Sequence, residues 1–413
     1  MISLLVIADD FTGALDTGVQ FASSGIATNV LVNLKNSRLG EFEGLQVLVI
    51  DAETRHLSRE DAYRVVYSIV KNAKDVGVPY LYKKTDSALR GNIGSELEAA
   101  LEASGETRMI FIPAFPKMNR ITKNGIHYID DLPVSESVFG EDLYEPVQYS
   151  SVREIIRSQS SVNIMEVEPD DYAKRGEKGI CIYNAQSDED LIQIANYLKE
   201  SGEYRLMAGC AGFASLLPSL MNLKGKERKK IKMQNKLLVV SGSTNPITKR
   251  QLIYAEKCEV KRFLLEPKQK LEKEYWNTSA GRKKIHELKK YCENRECCIL
   301  DSNDLNEDKN TIDYAIKLGL SLEQVRARIS EVLGIIIKGL LEEGIKNTLM
   351  VTGGDTLLGL MKEIGIQEIE PICELVSGCV LAEFDYQETI HYIVTKSGGF
   401  GGERLIEEIM NII

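Results

Sequence analysis

The stretch Tyr82-Lys83-Lys84-Thr85-Asp86-Ser87-Ala88-Leu89-Arg90-Gly91-Asn92 gathers two lysines, an aspartate, an arginine, hydroxyls, an amide and a glycine. Asp86, Ser87 and Asn92 suit hydrogen bonding to hydroxyl groups. Lys83, Lys84 and Arg90 supply positive charge, and an arginine can grip a carboxylate or phosphate through two parallel hydrogen bonds. Gly91 lets the backbone come close. Together these residues suit a small hydroxylated anion. A second constellation is Asp9-Asp10, directly after the apolar run Ile2–Ala8. Capping the following helix occupies one carboxylate, and burying the other without a partner would be costly, so the pair reads as functional.

Further along, Pro113-Ala114-Phe115-Pro116 stiffens a long polar loop that carries Lys117, Arg120 and Lys123, a candidate binding loop. His127, flanked by Ile126 and Tyr128, reads as structural rather than catalytic. Three small-residue turns mark the second half: Ser241-Gly242-Ser243-Thr244, Gly353-Gly354-Asp355-Thr356 and Ser397-Gly398-Gly399. Each follows an apolar run and precedes a helical pattern, which makes it a plausible anion cradle. Together they suggest one phosphate-rich ligand, a nucleotide, with Asp355 holding Mg2+ directly or through water. Neither a P-loop nor a well-placed dinucleotide fingerprint occurs, so a Rossmann dehydrogenase is disfavoured. Leu15-Asp16-Thr17-Gly18 looks like an aspartic-protease triplet, but no second copy supplies the partner aspartate.

The elements that must position these residues follow from periodicity. Strands are expected at Ile2–Ala8, Thr28–Asn33, Gln46–Asp51, Pro79–Tyr82 and Met109–Pro113. Helical spacing runs from Ala14, over Arg59–Lys74 and over Ile93–Ala103. Strand and helix alternate again through Asn163–Val167, Gly179–Tyr183, Asp188–Lys199 and Arg205–Ala208. In Gly209–Ala214, ligand contact and close packing explain the glycines equally well. The second half offers strands at Leu237–Val240, Asn347–Val351 and His391–Thr395, and a long helix over about Ser321–Glu343. The charged region Glu266–Lys290, with the lone Trp276, shows no pattern. This predicts an α/β chain of two domains with mainly parallel sheets flanked by helices and an active site in the interdomain cleft. The expected domains are 1–222 and 237–413, joined by a basic linker over 223–236.

With Asp+Glu 61 against Lys+Arg 51 the net charge is −10, which disfavours nucleic-acid binding. No apolar run reaches transmembrane length and the N-terminus lacks a basic leader, so a cytoplasmic protein is expected. Eight cysteines without a C-x-x-C pair, and four scattered histidines, argue for reduced structural thiols and against a zinc site.

Seven segments then stand in a telling order: ADDFTGALDTG (Ala8–Gly18), KTDSALRGNIGSEL (Lys84–Leu97), PAFPKMNRITKNGIHY (Pro113–Tyr128), PVSES (Pro133–Ser137), VVSGSTNPIT (Val239–Thr248), TGGDT (Thr352–Thr356) and TKSGGFG (Thr395–Gly401). End to end, the chain resembles the four-carbon acid sugar kinase family. The resemblance implies an N-terminal sugar-acid domain, a C-terminal ATP domain, and phosphorylation of a terminal hydroxyl of threonate, erythronate or 3-oxo-tetronate. It places the acid at Asp9, Asp10, Lys84, Asp86, Ser87 and Arg90, with Asn92, Lys117 and Arg120 beside it from the reading above. It places ATP at Ser241, Ser243, Gly353, Gly354, Asp355, Thr356, Gly398 and Gly399. Asp355 stands where many relatives carry glutamate, and Leu357 where serine is common. One of Asp9, Asp10 or Asp86 would orient or deprotonate the attacking hydroxyl, and Arg90 with Lys84 would hold the carboxylate or the phosphate. The alternatives are a non-catalytic two-domain binding protein and an oxidoreductase on the same acids. The partners expected are the sugar acid and ATP, without nucleic acid or membrane; a homo-oligomer stays open.

Overall fold

A computed structural model describes residues 2–32, 39–42, 44–141, 146–168, 178–227, 231, 233, 235–304, 310–396 and 399–413. The chain divides into two units, Met1–Arg228 and Lys229–Ile413. Of the basic run 223–236, residues 228–230, 232 and 234 lie outside the described residues.

The strands of the first unit are β1 (Leu4–Ala8), β2 (Thr28–Leu31), β3 (Val47–Asp51), β4 (Tyr80–Lys84), β5 (Arg108–Ile112), β6 (Arg120–Lys123), β7 (Ile126–Ile129), β8 (Leu132–Pro133), β9 (Ile164–Val167), β10 (Gly179–Tyr183) and β11 (Leu206–Gly209). Its helices are α1 (Phe11–Ala22), α2 (Arg59–Asp75), α3 (Ile93–Ser104), α4 (Val152–Arg157), α5 (Asp188–Ser201), α6 (Ala211–Ala214) and α7 (Leu217–Leu220). The main sheet runs β2-β3-β1-β4-β11-β5-β10-β9, with every neighbouring pair parallel. β1 and β3 are buried along their whole length, which explains their unbroken apolar sequences. α2 buries Ala62, Val66, Ile69, Val70 and Ala73 on one face and is capped by Ser58. The chain leaves β1 in one direction for β2 and β3, then returns to its other side as β4. The carboxyl ends of β1, β3 and β4 therefore open at a topological switch point, where α/β sheets bind ligands.

The expected long loop after β5 is instead a small antiparallel sheet, β6-β7-β8. Asn124 (φ 51°) and Gly125 (φ 72°) form the turn between β6 and β7, and Asp130 and Asp131 also take positive φ before β8. Two-residue turns of this hand match the twist of a hairpin, so Asn-Gly was the signal for it. Gly209 and Gly212 are packing residues. An added Cβ would come within 2.3 Å of the Ile112 carbonyl and 2.8 Å of the Ala114 carbonyl respectively.

The second unit contains β12 (Leu237–Ser241), β13 (Lys261–Leu264), β14 (Cys297–Asp301), β15 (Thr348–Thr352), β16 (Glu368–Val376), β17 (Cys379–Tyr386) and β18 (Thr389–Lys396). Its helices are α8 (Pro246–Lys257), α9 (Pro267–Leu271), α10 (Ser279–Glu293), α11 (Asn310–Lys317), α12 (Leu322–Glu342), α13 (Gly354–Ile364) and α14 (Leu405–Ile412). The strand order is β13-β14-β12-β15-β18-β17-β16. The first five strands are parallel, and β17 and β16 extend the sheet antiparallel. That meander is an addition to the expected pattern.

The charged region around Trp276 also has structure. Trp276 is buried and donates from Nε1 to the Gln269 carbonyl at 2.9 Å. The Lys270 ammonium is buried against Asp304 and the Thr311 hydroxyl. The expectation of reduced thiols is corrected at one pair: Cys292, in the last turn of α10, is joined to Cys298 of β14 across a Cα–Cα distance of 6.0 Å, within disulfide reach. No helix among the described residues is long and apolar enough to cross a membrane.

Candidate active site

Asp10 is the N-cap of α1. Its Oδ1 accepts the Gly13 amide at 2.9 Å, while Oδ2 accepts from Arg55 Nη1 at 2.7 Å. Asp9 is buried and receives Arg55 Nε on Oδ2 at 2.7 Å; its Oδ1 is buried without a partner. Arg55 Nη2 lies 3.6 Å from Asp86 Oδ1, so one guanidinium faces three carboxylates. Arg55 was absent from the sequence expectation. It follows β3 in an unremarkable stretch, and its only signal was its place at a strand end. Asn92, expected on the substrate, lines the pocket beside Arg90 and donates its amide to the carbonyls of Thr54 (3.0 Å) and Leu57 (2.9 Å), fixing the loop that carries Arg55.

Asp86 is held by Arg90, with Nε to Oδ2 at 2.9 Å and Nη2 to Oδ1 at 3.1 Å, and by the backbone amide of Ala88. Burial alone would raise its pKa. Arg90, Arg55 and Arg120 overcome that and hold the carboxyl well below its ordinary range. For Asp9, burial is likewise outweighed by Arg55, Lys83 and Lys84, and its pKa is lowered. Asp51, at the end of β3, goes the other way: burial, then Glu53 and Asp10, raise it well above the carboxylate range. Its Oδ2 is buried without a partner.

Strand alternation separates the two lysines of β4. Lys83 forms a wholly buried ion pair with Glu96 at 2.8 Å and is scaffold rather than a ligand group. Lys84 lies over the first turn of α1, where a Cβ on Gly13 would sit 2.7 Å from its Nζ. The Arg120 guanidinium donates to the Ser87 hydroxyl. Arg120 and Arg90 both lie over the Phe139 ring, at 5.4 and 5.1 Å from its centroid, so Phe139 is a second residue that sequence reasoning missed. Lys117 is exposed on the turn Pro116–Met118. His127 is buried. Its Nε2 donates to the Ser87 carbonyl at 2.9 Å, which makes Nδ1 the acceptor for Thr122 Oγ1 at 3.1 Å. Burial pushes its pKa down to about 4, so it is a neutral brace beneath Ser87. Beside Arg90 opens a pocket of about 330 Å3, lined among others by Arg55, Arg59, Gln148, Tyr149 and Gln159.

In the second unit the turns after β12 and β15 touch. A Cβ on Gly242 would lie 2.1 Å from Thr356 Oγ1, and one on Gly353 (φ 100°) would lie 3.6 Å from the Ser243 side chain. Asn303 donates to the Ser243 carbonyl at 3.1 Å, and Ser302 to the Ser241 carbonyl. Gln251, buried on α8, donates to the carbonyls of Phe400, Gly401 and Gly402. Gly399 begins that segment; Gly398 lies outside the described residues. Gly354 and Asp355 open α13. Asp355 is exposed and paired with Arg326 at 2.8 Å. Ser241, Ser243, Gly353, Gly354 and Thr356 thus share one patch of backbone and hydroxyl donors, with Asp355 at its edge. The Thr356 contact leaves no room for a larger residue at Gly242, the positive φ of Gly353 favours glycine there, and the Ser241 hydroxyl is buried without a partner. A polyphosphate fits this donor set. Mg2+ normally takes only one or two protein carboxylates beside phosphate oxygens, which one aspartate satisfies.

Comparison with known proteins agrees with this division. A sugar-binding N-terminal domain family matches residues 4–217, and a nucleotide-binding C-terminal domain family matches 238–406. A D-threonate kinase of Salmonella typhimurium is 30% identical, covering 97% of this chain and 96% of its own. A D-erythronate kinase of Heliobacterium modesticaldum is 25% identical over 91% of this chain and 89% of its own. The crystal structure of a Salmonella typhimurium LT2 protein, 19% identical, matches the fold with a TM-score of 0.80 over 99% of both chains. The chain belongs to the four-carbon acid sugar kinase family.

Proposed function

We propose that the protein transfers the terminal phosphoryl group of ATP to the terminal hydroxyl of a four-carbon sugar acid: threonate, erythronate or 3-oxo-tetronate. The observation that carries this reading is the Arg55 hub, which fixes Asp9, Asp10 and Asp86 while Arg55 also lines a cationic pocket with Arg59 and Arg90. Such a pocket suits a small carboxylate, and Arg90 offers it a guanidinium already oriented by Asp86. Of the three carboxylates only Asp10 has substantial open surface, 26% against 2% for Asp9 and 9% for Asp86. Asp10 is therefore the group that orients the hydroxyl and takes its proton as the new O–P bond forms and the bond to ADP breaks. Asp9 and Asp86 hold Arg55 and Arg90. When bound, Mg2+ would neutralise phosphate charge, and Asp355 is the carboxylate that would hold it. Phosphoryl transfer rests mainly on such positioning and charge stabilisation.

The test is ADP release by the purified full-length protein with Mg-ATP and a panel of four-carbon acids. One acid should support turnover, and Asp10→Asn should lower kcat by about 100- to 10,000-fold with little change in KM for the acid. Absence of acid-dependent ADP release across the panel would sink the kinase reading.

A further inference from the structure

The carboxyl ends of four neighbouring strands in the second unit carry polar residues in one register. Ser241 pairs with Asp301 on one side and Thr352 on the other, and Thr352 pairs with Lys396. Parallel partners in register point to the same face of a sheet. That face is the one covered by α8, because Leu252 and Ala255 pack with Val239, Ile299, Met350 and Val394, two residues before each member of the row. Asp301 is taken by Arg262, at 2.9 and 2.6 Å. The hydroxyls of Ser241 and Thr352 are buried and lack a partner. Lys396 is buried too and donates from Nζ to Thr248 Oγ1 at 2.9 Å, in the first turn of α8.

This arrangement is poor scaffolding. A helix N-terminus is electropositive, so an ammonium buried beneath it is disfavoured twice, by desolvation and by the dipole. Burial does push the Lys396 ammonium down to about 8, with Cys379 on the paired strand opposing the shift. Two unsatisfied hydroxyls beside it add a further desolvation cost. An anion resolves all of these at once, by pairing with the lysine, accepting from both hydroxyls and facing the helix end. The Lys396 carbonyl also accepts the Gly353 amide at 3.3 Å, which ties this row to the glycine turn after β15.

We propose that Lys396, with the hydroxyls of Ser241 and Thr352, forms a polyphosphate seat beneath the N-terminus of α8. The proposal rests on the nucleotide reading of this unit and names the residues that hold the phosphates rather than the base. Calorimetry on the full-length protein tests it with ATP, inorganic tripolyphosphate and adenosine as probes. Lys396→Met should weaken ATP and tripolyphosphate by about 10- to 100-fold and leave adenosine within about 2-fold. Thr352→Val removes an unsatisfied hydroxyl, so it should keep or raise Tm while weakening tripolyphosphate by about 3- to 10-fold. Unchanged tripolyphosphate affinity in both variants, or equal loss for adenosine and ATP, would overturn the seat. Turnover by a wild type whose Lys396→Met variant keeps full ATP affinity removes the seat and spares the kinase reading. Tripolyphosphate binding lost in both variants, without turnover on any acid, keeps the seat and removes the kinase reading.

Discussion

At the carboxyl ends of β1, β3 and β4, one arginine faces three aspartates, and a second arginine grips the last of them with two hydrogen bonds. At the corresponding ends of β12, β15 and β18 stand glycine turns, two partnerless hydroxyls and a lysine bonded to a threonine. The first surface is organised by opposite charges that pair with one another around Arg55. The second is organised by backbone closeness, with Gly242 against Thr356, and the groups it leaves without a partner are neutral hydroxyls, where the first leaves carboxylate oxygens of Asp9 and Asp51. The difference fits the ligands proposed above. A small hydroxylated acid must be distinguished by fixed, directional groups, whereas a polyphosphate needs donors and room for the chain to approach.

The contrast can be broken most sharply at Arg55. Arg55→Met leaves buried carboxylates without their counter-ion and should cost about 3–5 kcal/mol in urea unfolding, together with loss of acid-dependent turnover. A loss near zero would mean that the hub is no more pre-organised than the glycine turns. A pH experiment probes the same surface more gently. His127 is held neutral at a pKa of about 4 against an ordinary 6.5, so the unfolded chain binds its proton first on acidification. Stability contributed by the neutral ring is therefore full above pH 6.5 and lost as pH falls towards 4, by about 3 kcal/mol. His127→Gln should flatten that limb of the stability curve, and an unchanged limb would remove His127 from the account. The smallest effect is expected at the edge of the second surface. The Arg326–Asp355 pair is exposed, so Asp355→Asn should change Tm little while raising the Mg2+ concentration needed for half-maximal turnover. A large fall in Tm with unchanged Mg2+ dependence would make Asp355 scaffold.

Much of this was legible in the residues themselves. Unbroken apolar strands such as Leu4–Ala8, the periodic face of α2 and the small-residue turns determined two α/β halves, because burial on both faces of a parallel strand and helical spacing are local properties. The Asn124-Gly125 hairpin was legible too but was outweighed by the prolines before it. What only the tertiary structure decided is which charges meet. Arg55 lies 45 residues from Asp10 in sequence, and nothing near it announces a partner. Lys83 and Lys84 are neighbours in the chain, yet pleating sends one into a buried pair with Glu96 and the other over α1. The row Asp301-Ser241-Thr352-Lys396 exists only because four separate strands end in register. Local sequence fixes conformation and the chemical type of a side chain, whereas pairing between strand ends depends on sheet order and register, which emerge when the whole unit packs.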